Sequence, residues 1–167
     1  EVAFATHCVA PLALQAPLLE ACALARVMVI SAGLLVKGRF DAARTPTGED
    51  FSALRTYATT KLAGAAAMRD AARAHPDVDF VVVHPGVVRT DLGARDGLLG
   101  RVLALVKRRW EAPEVCGERL ARILEAPRWE RAPGEAPWLM EEVEAPWPEV
   151  VDRDAAAVRG AVARLLG

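Results

Sequence analysis

Val78-Asp79-Phe80-Val81-Val82-Val83-His84-Pro85-Gly86 is the stretch that decides the fold. Its apolar run does not alternate with polar residues, which suits a strand covered on both faces in a parallel sheet, and Pro85-Gly86 ends it. A second run of β-branched character, Arg26-Val27-Met28-Val29-Ile30, is closed by Ser31-Ala32-Gly33 and reads as another buried strand. Between the two, residues 33–53 carry Gly, Pro, Thr and Asp at turn-like spacing, a loop with room for a short strand or turn of its own. Residues 52–74 are rich in Ala, Leu, Met and Arg and predict a strong helix, stopped by His75-Pro76-Asp77.

Working outward, residues 2–24 hold apolar side chains at Val2, Phe4, Val9, Leu12, Leu14, Leu18 and Leu19, a helix expected to bend or restart at Pro11 and Pro17. Residues 97–110 place Leu98, Leu99, Val102, Leu103 and Val106 on one helical face, with Lys107, Arg108 and Arg109 in the last turn. A further helix over 113–125 starts with Pro113 near N1. Residues 127–148 read as loop with room for a short strand at 138–140. A terminal helix over 152–166 has Asp152 or Asp154 available as its cap. The alternation predicts a single α/β domain over 1–167, a parallel sheet with flanking helices. Two strands make a poor sheet, and Glu1 sits inside an apolar pattern, so an amino-terminal part of the fold is expected to be missing.

Composition excludes several classes. With 53% apolar and 26% charged residues in 167, the chain has the profile of a globular domain. A net charge of −1 offers no global basic field for nucleic acid. Uninterrupted apolar runs fall well short of the ~20 residues of a spanning helix, so no membrane span is expected. Cys8, Cys22 and Cys116 are odd in number and lack metal or disulfide spacing, which fits a reducing, cytoplasmic setting. His75 and His84 show no ligand spacing either, so no metal site is expected, and no nucleophile-elbow motif is present.

The informative pair is Tyr57 and Lys61, in Tyr-Ala-Thr-Thr-Lys. On a helix, positions four apart share a face and reach a common ligand. A phenol with a pKa near ~10 is a poor acid–base group at neutral pH, and an adjacent ammonium stabilises its phenolate. Lowering that pKa by ~3 units corresponds to about 4 kcal/mol. Such a tyrosine can exchange a proton with a carbonyl or alcohol oxygen. The plain alternative is a tyrosine anchored at a helix start beside an unrelated, solvated lysine.

A strand ending in small residues, a long loop, the Y-x-x-x-K helix and a strand running into His-Pro-Gly-Val-Val-Arg-Thr together resemble the short-chain dehydrogenase/reductase family, and within it the retinol-dehydrogenase-like members. The resemblance is good over 1–95, the catalytic core portion, and looser over 96–167, the substrate-lid and carboxy-terminal region. It implies a Rossmann-like fold and an NAD(P)-dependent oxidoreductase interconverting a carbonyl and an alcohol. Tyr57 would be the acid/base, and Lys61 would lower its pKa and bind the nicotinamide ribose. Pro85, Gly86, Val88 and Thr90 would pass the nicotinamide end of NAD or NADP, with Thr90 holding the carboxamide. The plain reading of Pro85-Gly86 is a turn at a strand end. A non-catalytic scaffold or binding protein of the same shape is the alternative function.

Departures from the family pattern matter. Its paired serines fall on Ser31 and Ala32 in the ungapped reading, which loses the substrate-orienting hydroxyl; a one-residue shift restores it as Ser31. Its helix asparagine falls on His7, which can donate and accept in its place or be merely a half-exposed helix residue. The glycine-rich turn that seats the pyrophosphate has no counterpart in 1–167. The resemblance also implies a homodimer through helices 2–24 and 52–74, with Ala63, Ala66 and Ala67 allowing close approach unless they pack on the sheet. Lys107, Arg108 and Arg109 are read as complementing a helix dipole. Trp110, Trp129, Trp138 and Trp147, set among prolines, are read as packing anchors.

Overall fold

The computed structural model describes residues 1–21, 25–89, 107, 109–127 and 131–166. The chain begins with a helix, α1 (Val2–Ala21), followed by β1 (Arg26–Ile30) and a 3-10 turn at Gly33–Lys37. The long helix α2 (Ala53–Ala74) leads into β2 (Asp79–His84). Then come α3 (Pro113–Glu125), β3 (Trp138–Met140), β4 (Val143–Ala145) and α4 (Glu149–Leu166).

The sheet has the order β1-β2-β3-β4, with the first three strands parallel and β4 antiparallel. The expected α/β class with a parallel sheet and flanking helices is present. β2 is paired on both sides, Ile30 lying opposite Val83 and Leu139 opposite Val83 from the other edge. Its side chains alternate between two cores. Phe80 and Val82 join Leu62, Ala66 and Met68 of α2 and Val158 of α4, whereas Val81 and Val83 meet Ile123 of α3 and Leu139. Burial on both faces is what permits an uninterrupted apolar strand. The two additional strands come from the carboxy-terminal loop region. Glu141, at φ 62, makes the tight turn that sends β4 back along β3.

Arg26 locks α3 to the sheet. Its guanidinium donates to Asp79 across the β1–β2 register and to the carbonyls of Ile123, Leu124, Ala126 and Pro127. Those carbonyls end or follow α3, where no further helical amide can reach them, so one cation satisfies a helix terminus.

Three expectations are corrected. The helix over 2–24 does not break at Pro17: the described part runs through it to Ala21, and its irregularity is a π turn at Ala5–Val9, just ahead of Pro11. Pro11 has no N–H for the His7 carbonyl and its ring crowds that carbonyl, and the wider turn lies where that conflict falls. By length (20 residues) and mean hydropathy (1.5), this helix is long and apolar enough to cross a membrane, and Phe4 and Cys8 on it are buried in the core. The terminal helix starts at Glu149, so Asp152 and Asp154 are not caps; Asp154 accepts the Phe40 amide at 2.8 Å instead. Ala63, Ala66 and Ala67 are buried in the chain's own core and offer no dimer surface. Most of the helix expected over 97–110, Cys22 and Trp129 lie outside the described residues.

Candidate active site

A cavity of about 690 Å³ opens at the carboxyl ends of β1 and β2, where parallel sheets commonly bind ligands. It is lined by His7 from α1, Ser31 and Ala32 after β1, Tyr57 and Lys61 from α2, and Pro85, Gly86 and Val88 after β2. These are seven of the eight expected site positions, together with the alternative Ala32. The eighth, Thr90, lies outside the described residues. Leu34, Val87 and Trp110 add apolar wall.

Tyr57 and Lys61 share a face of α2, as their spacing requires. The Lys61 ammonium lies 6.0 Å from the centre of the Tyr57 ring and donates to the Ile30 carbonyl at 3.0 Å. Burial pushes the Tyr57 phenol above its ordinary pKa and pulls Lys61 below its own. Burial is the cause that acts on the phenol in this arrangement, and the Lys61 ammonium is engaged with the Ile30 carbonyl. A phenol that leaves water loses more in its charged form than in its neutral form.

His7 sits on the π turn and packs edge-on against Tyr57, ring centres 5.9 Å apart. Its Nδ1 is 2.8 Å from Thr60 Oγ1, and that hydroxyl donates to the Tyr57 carbonyl at 3.1 Å. With the one hydroxyl proton committed there, Nδ1 is the donor and a neutral His7 keeps its lone pair on Nε2. Burial, and then the Lys61 charge, hold the His7 pKa below its usual value and favour that neutral ring. Gly64 makes the close contact of α1 with α2 possible, since a Cβ there would stand 2.7 Å from the His7 carbonyl oxygen.

Ser31 donates its amide to Val83 at 2.7 Å, but its hydroxyl is buried with no partner among the described residues. A buried hydroxyl left unmet costs about 1–3 kcal/mol, a penalty a ligand oxygen would remove. His84 Nδ1 is likewise buried and unpartnered. Sequence reasoning weighed His84 only as a metal ligand. Strand alternation, which puts Phe80, Val82 and His84 on the α2 face, was the signal that located it. Gly33 lies against this ring, where a Cβ would come within 3.1 Å. Burial lowers the His84 pKa, with Glu141 opposing and Arg119 reinforcing that effect.

The segment after β2 is braced from outside the cavity. Gly86 takes φ 87, a conformation other residues rarely adopt, and Glu141 donates its amide to the His84 carbonyl at 2.7 Å. Buried Arg119 links Glu141, at 3.0 Å, to Glu111. Glu111 in turn pairs through its backbone with Val87 and Arg89, at 3.2 and 2.8 Å. Nothing in the periodicity of 113–125 distinguished Arg119 from the exposed Arg122 of that helix.

No protein-family model matches the sequence, and no curated protein matches it.

Proposed function

We propose that the chain forms the proton-transfer side of an NAD(P)-dependent oxidoreductase site that interconverts a carbonyl and an alcohol. The observation that carries the reading is the convergence of His7, Ser31, Tyr57, Lys61, Pro85, Gly86 and Val88, far apart in sequence, on one cavity. The unmet hydrogen bonds of Ser31 and His84 at that cavity fit a polar ligand such as the nicotinamide end of NAD or NADP. Lys61 would hold the ribose hydroxyls, and the backbone of Pro85, Gly86 and Val88 would flank the ring. When bound, the cofactor supplies or accepts the hydride.

The chain's own residues handle the proton. In the reducing direction the Tyr57 hydroxyl gives its proton to the substrate oxygen, and the nearby Lys61 charge stabilises the phenolate that remains. The Ser31 hydroxyl orients that oxygen, and neutral His7 offers Nε2 for a water that returns a proton to the site. Leu34, Val87 and Trp110 favour an apolar substrate. A homodimer through α1 belongs to the same proposal and would cover Val2, Leu14 and Leu18, all exposed.

The alternative is a non-catalytic scaffold of the same shape. One observation favours it: burial raises the phenol while Lys61 is bonded to Ile30. The experiment is NAD(P)H oxidation against a panel of apolar aldehydes and ketones, using the longest natural polypeptide that carries this sequence. Turnover that falls roughly a hundredfold in Ser31→Ala, and survives Ala32→Gly, supports the enzyme. Cofactor binding with no turnover on any carbonyl assigns the scaffold role.

A further inference from the structure

We infer that Arg39, Arg44 and Arg55 form a phosphate-binding site separate from the Tyr57 cavity. The three arginines line a second cavity of about 400 Å³ with Phe40, Asp41 and Asp50. Arg55 and Tyr57 are two residues apart on α2, which places them on roughly opposite sides of the helix at ~100° per residue. On the Arg55 side, Thr59 bonds the backbone of Arg39 at 3.1 and 3.3 Å, fixing the loop against the helix.

The carboxylates in this cavity each use one oxygen for loop hydrogen bonding and stay charged. Asp41 Oδ1 accepts the amides of Ala43 and Arg44 at 2.9 and 3.0 Å, and Asp50 Oδ2 accepts the Thr45 hydroxyl at 2.7 Å. Those amide bonds are the main reason the Asp41 carboxyl sits below its usual pKa, with the charges of Arg44 and Arg39 the least of the causes. The guanidiniums reach only carbonyls: Arg44 that of Glu49 and Arg55 that of Asp50, at 3.3 and 3.2 Å. Among the described residues none of the three is in an ion pair.

A second arginine-lined cavity, of about 220 Å³, shows what a purely structural cluster looks like in this chain. There Arg69 is paired with Asp152, Arg73 with Asp70 and Arg131 with Glu144. In the first cavity Asp41 and Asp50 offset two of the three positive charges without forming an ion pair with any of the arginines, so a formal excess of one positive charge and three unpaired guanidiniums face the space. A guanidinium fork matches the oxygens of a phosphate, and three forks suit a tetrahedral dianion better than a planar monoanionic carboxylate. The volume exceeds that of the bare ion and leaves room for the organic part of a phosphate monoester.

The test is titration of the protein with inorganic phosphate at constant ionic strength, followed by amide and arginine side-chain NMR shifts. Saturable shifts at residues 39–55, with affinity reduced about tenfold in Arg44→Gln and unchanged in Arg122→Gln, are expected. Slower phenylglyoxal modification of Arg39, Arg44 and Arg55 in the presence of phosphate checks the same point in the unmutated protein. Vesicles containing phosphatidate that bind, and are displaced by phosphate, would identify a lipid headgroup as the source; vesicles that stay unbound while phosphate saturates would identify a soluble phosphate ester. Linear, non-saturating shifts, or modification rates indifferent to phosphate, overturn the site.

Discussion

Lys61 donates to the carbonyl of Ile30 at 3.0 Å, tying the cavity-lining face of α2 to the carboxyl end of β1. One of its three protons is used there, which leaves two for a ligand in the cavity. The same bond fixes the ammonium 6.0 Å from the Tyr57 ring, close enough to favour a phenolate once one forms.

Tyr57 is the only tyrosine in the chain, so tyrosinate absorbance reports it alone. Burial raises its pKa, and the transition is therefore expected above the ordinary phenol value of ~10 in the ligand-free protein. Addition of NAD or NADP is expected to bring it down, and Lys61→Met to abolish that decrease. A ligand-free transition at or below the ordinary value contradicts the burial seen here.

That pair was legible in the sequence because helical spacing alone puts residues four apart on one face. Ser31 was legible only as an alternative to Ala32, since a one-residue shift at a strand end leaves no trace in composition. The partners of Arg26 were not legible, because its pairing with Asp79 depends on strand register and its carbonyl contacts on where α3 ends. β4 was hidden for a different reason: Val143-Glu144-Ala145 is short and largely exposed, and its direction follows from the left-handed backbone at Glu141. α1 continues through Pro17 because that residue lies on an exposed face, where a missing backbone bond is open to water.

Arg26 and Asp79 form a pair whose side chains are only 9% and 7% exposed. Arg26→Met leaves a buried carboxylate and several α3 carbonyls without a donor, and is expected to cost about 3–5 kcal/mol in urea unfolding. The double variant with Asp79→Asn is expected to lose less than the sum of the two single changes. Additive losses would mean the two side chains do not act as a pair.

Gly64→Ala sets two effects against each other. Alanine gains about 1 kcal/mol in helix propensity, but its Cβ would stand 2.7 Å from the His7 carbonyl oxygen, a clash with backbone. Overpacking costs about 1–3 kcal/mol, so net destabilisation is expected, with α1 displaced. An unchanged or raised melting temperature would show that α1 does not press on α2 at this point.

His7 and His84 both have pKa values lowered chiefly by burial. The folded state then binds fewer protons than the unfolded state once pH falls below the unfolded histidine value of ~6.5. Their stabilising contribution is present above that pH and is lost progressively as pH falls through the folded values. Urea midpoints are expected to drop between pH 7 and 5, and to drop less in His7→Gln and His84→Gln. Identical slopes in all three proteins would remove these rings from the acid response.

In the proposed reaction the Tyr57 hydroxyl moves the proton. The most direct measurement of that step is kcat for carbonyl reduction by wild type and Tyr57→Phe, with cofactor binding monitored in both. Binding within a few-fold of wild type and a kcat lower by roughly a hundred- to ten-thousand-fold is the predicted result. A Tyr57→Phe protein that turns over like wild type would contradict it.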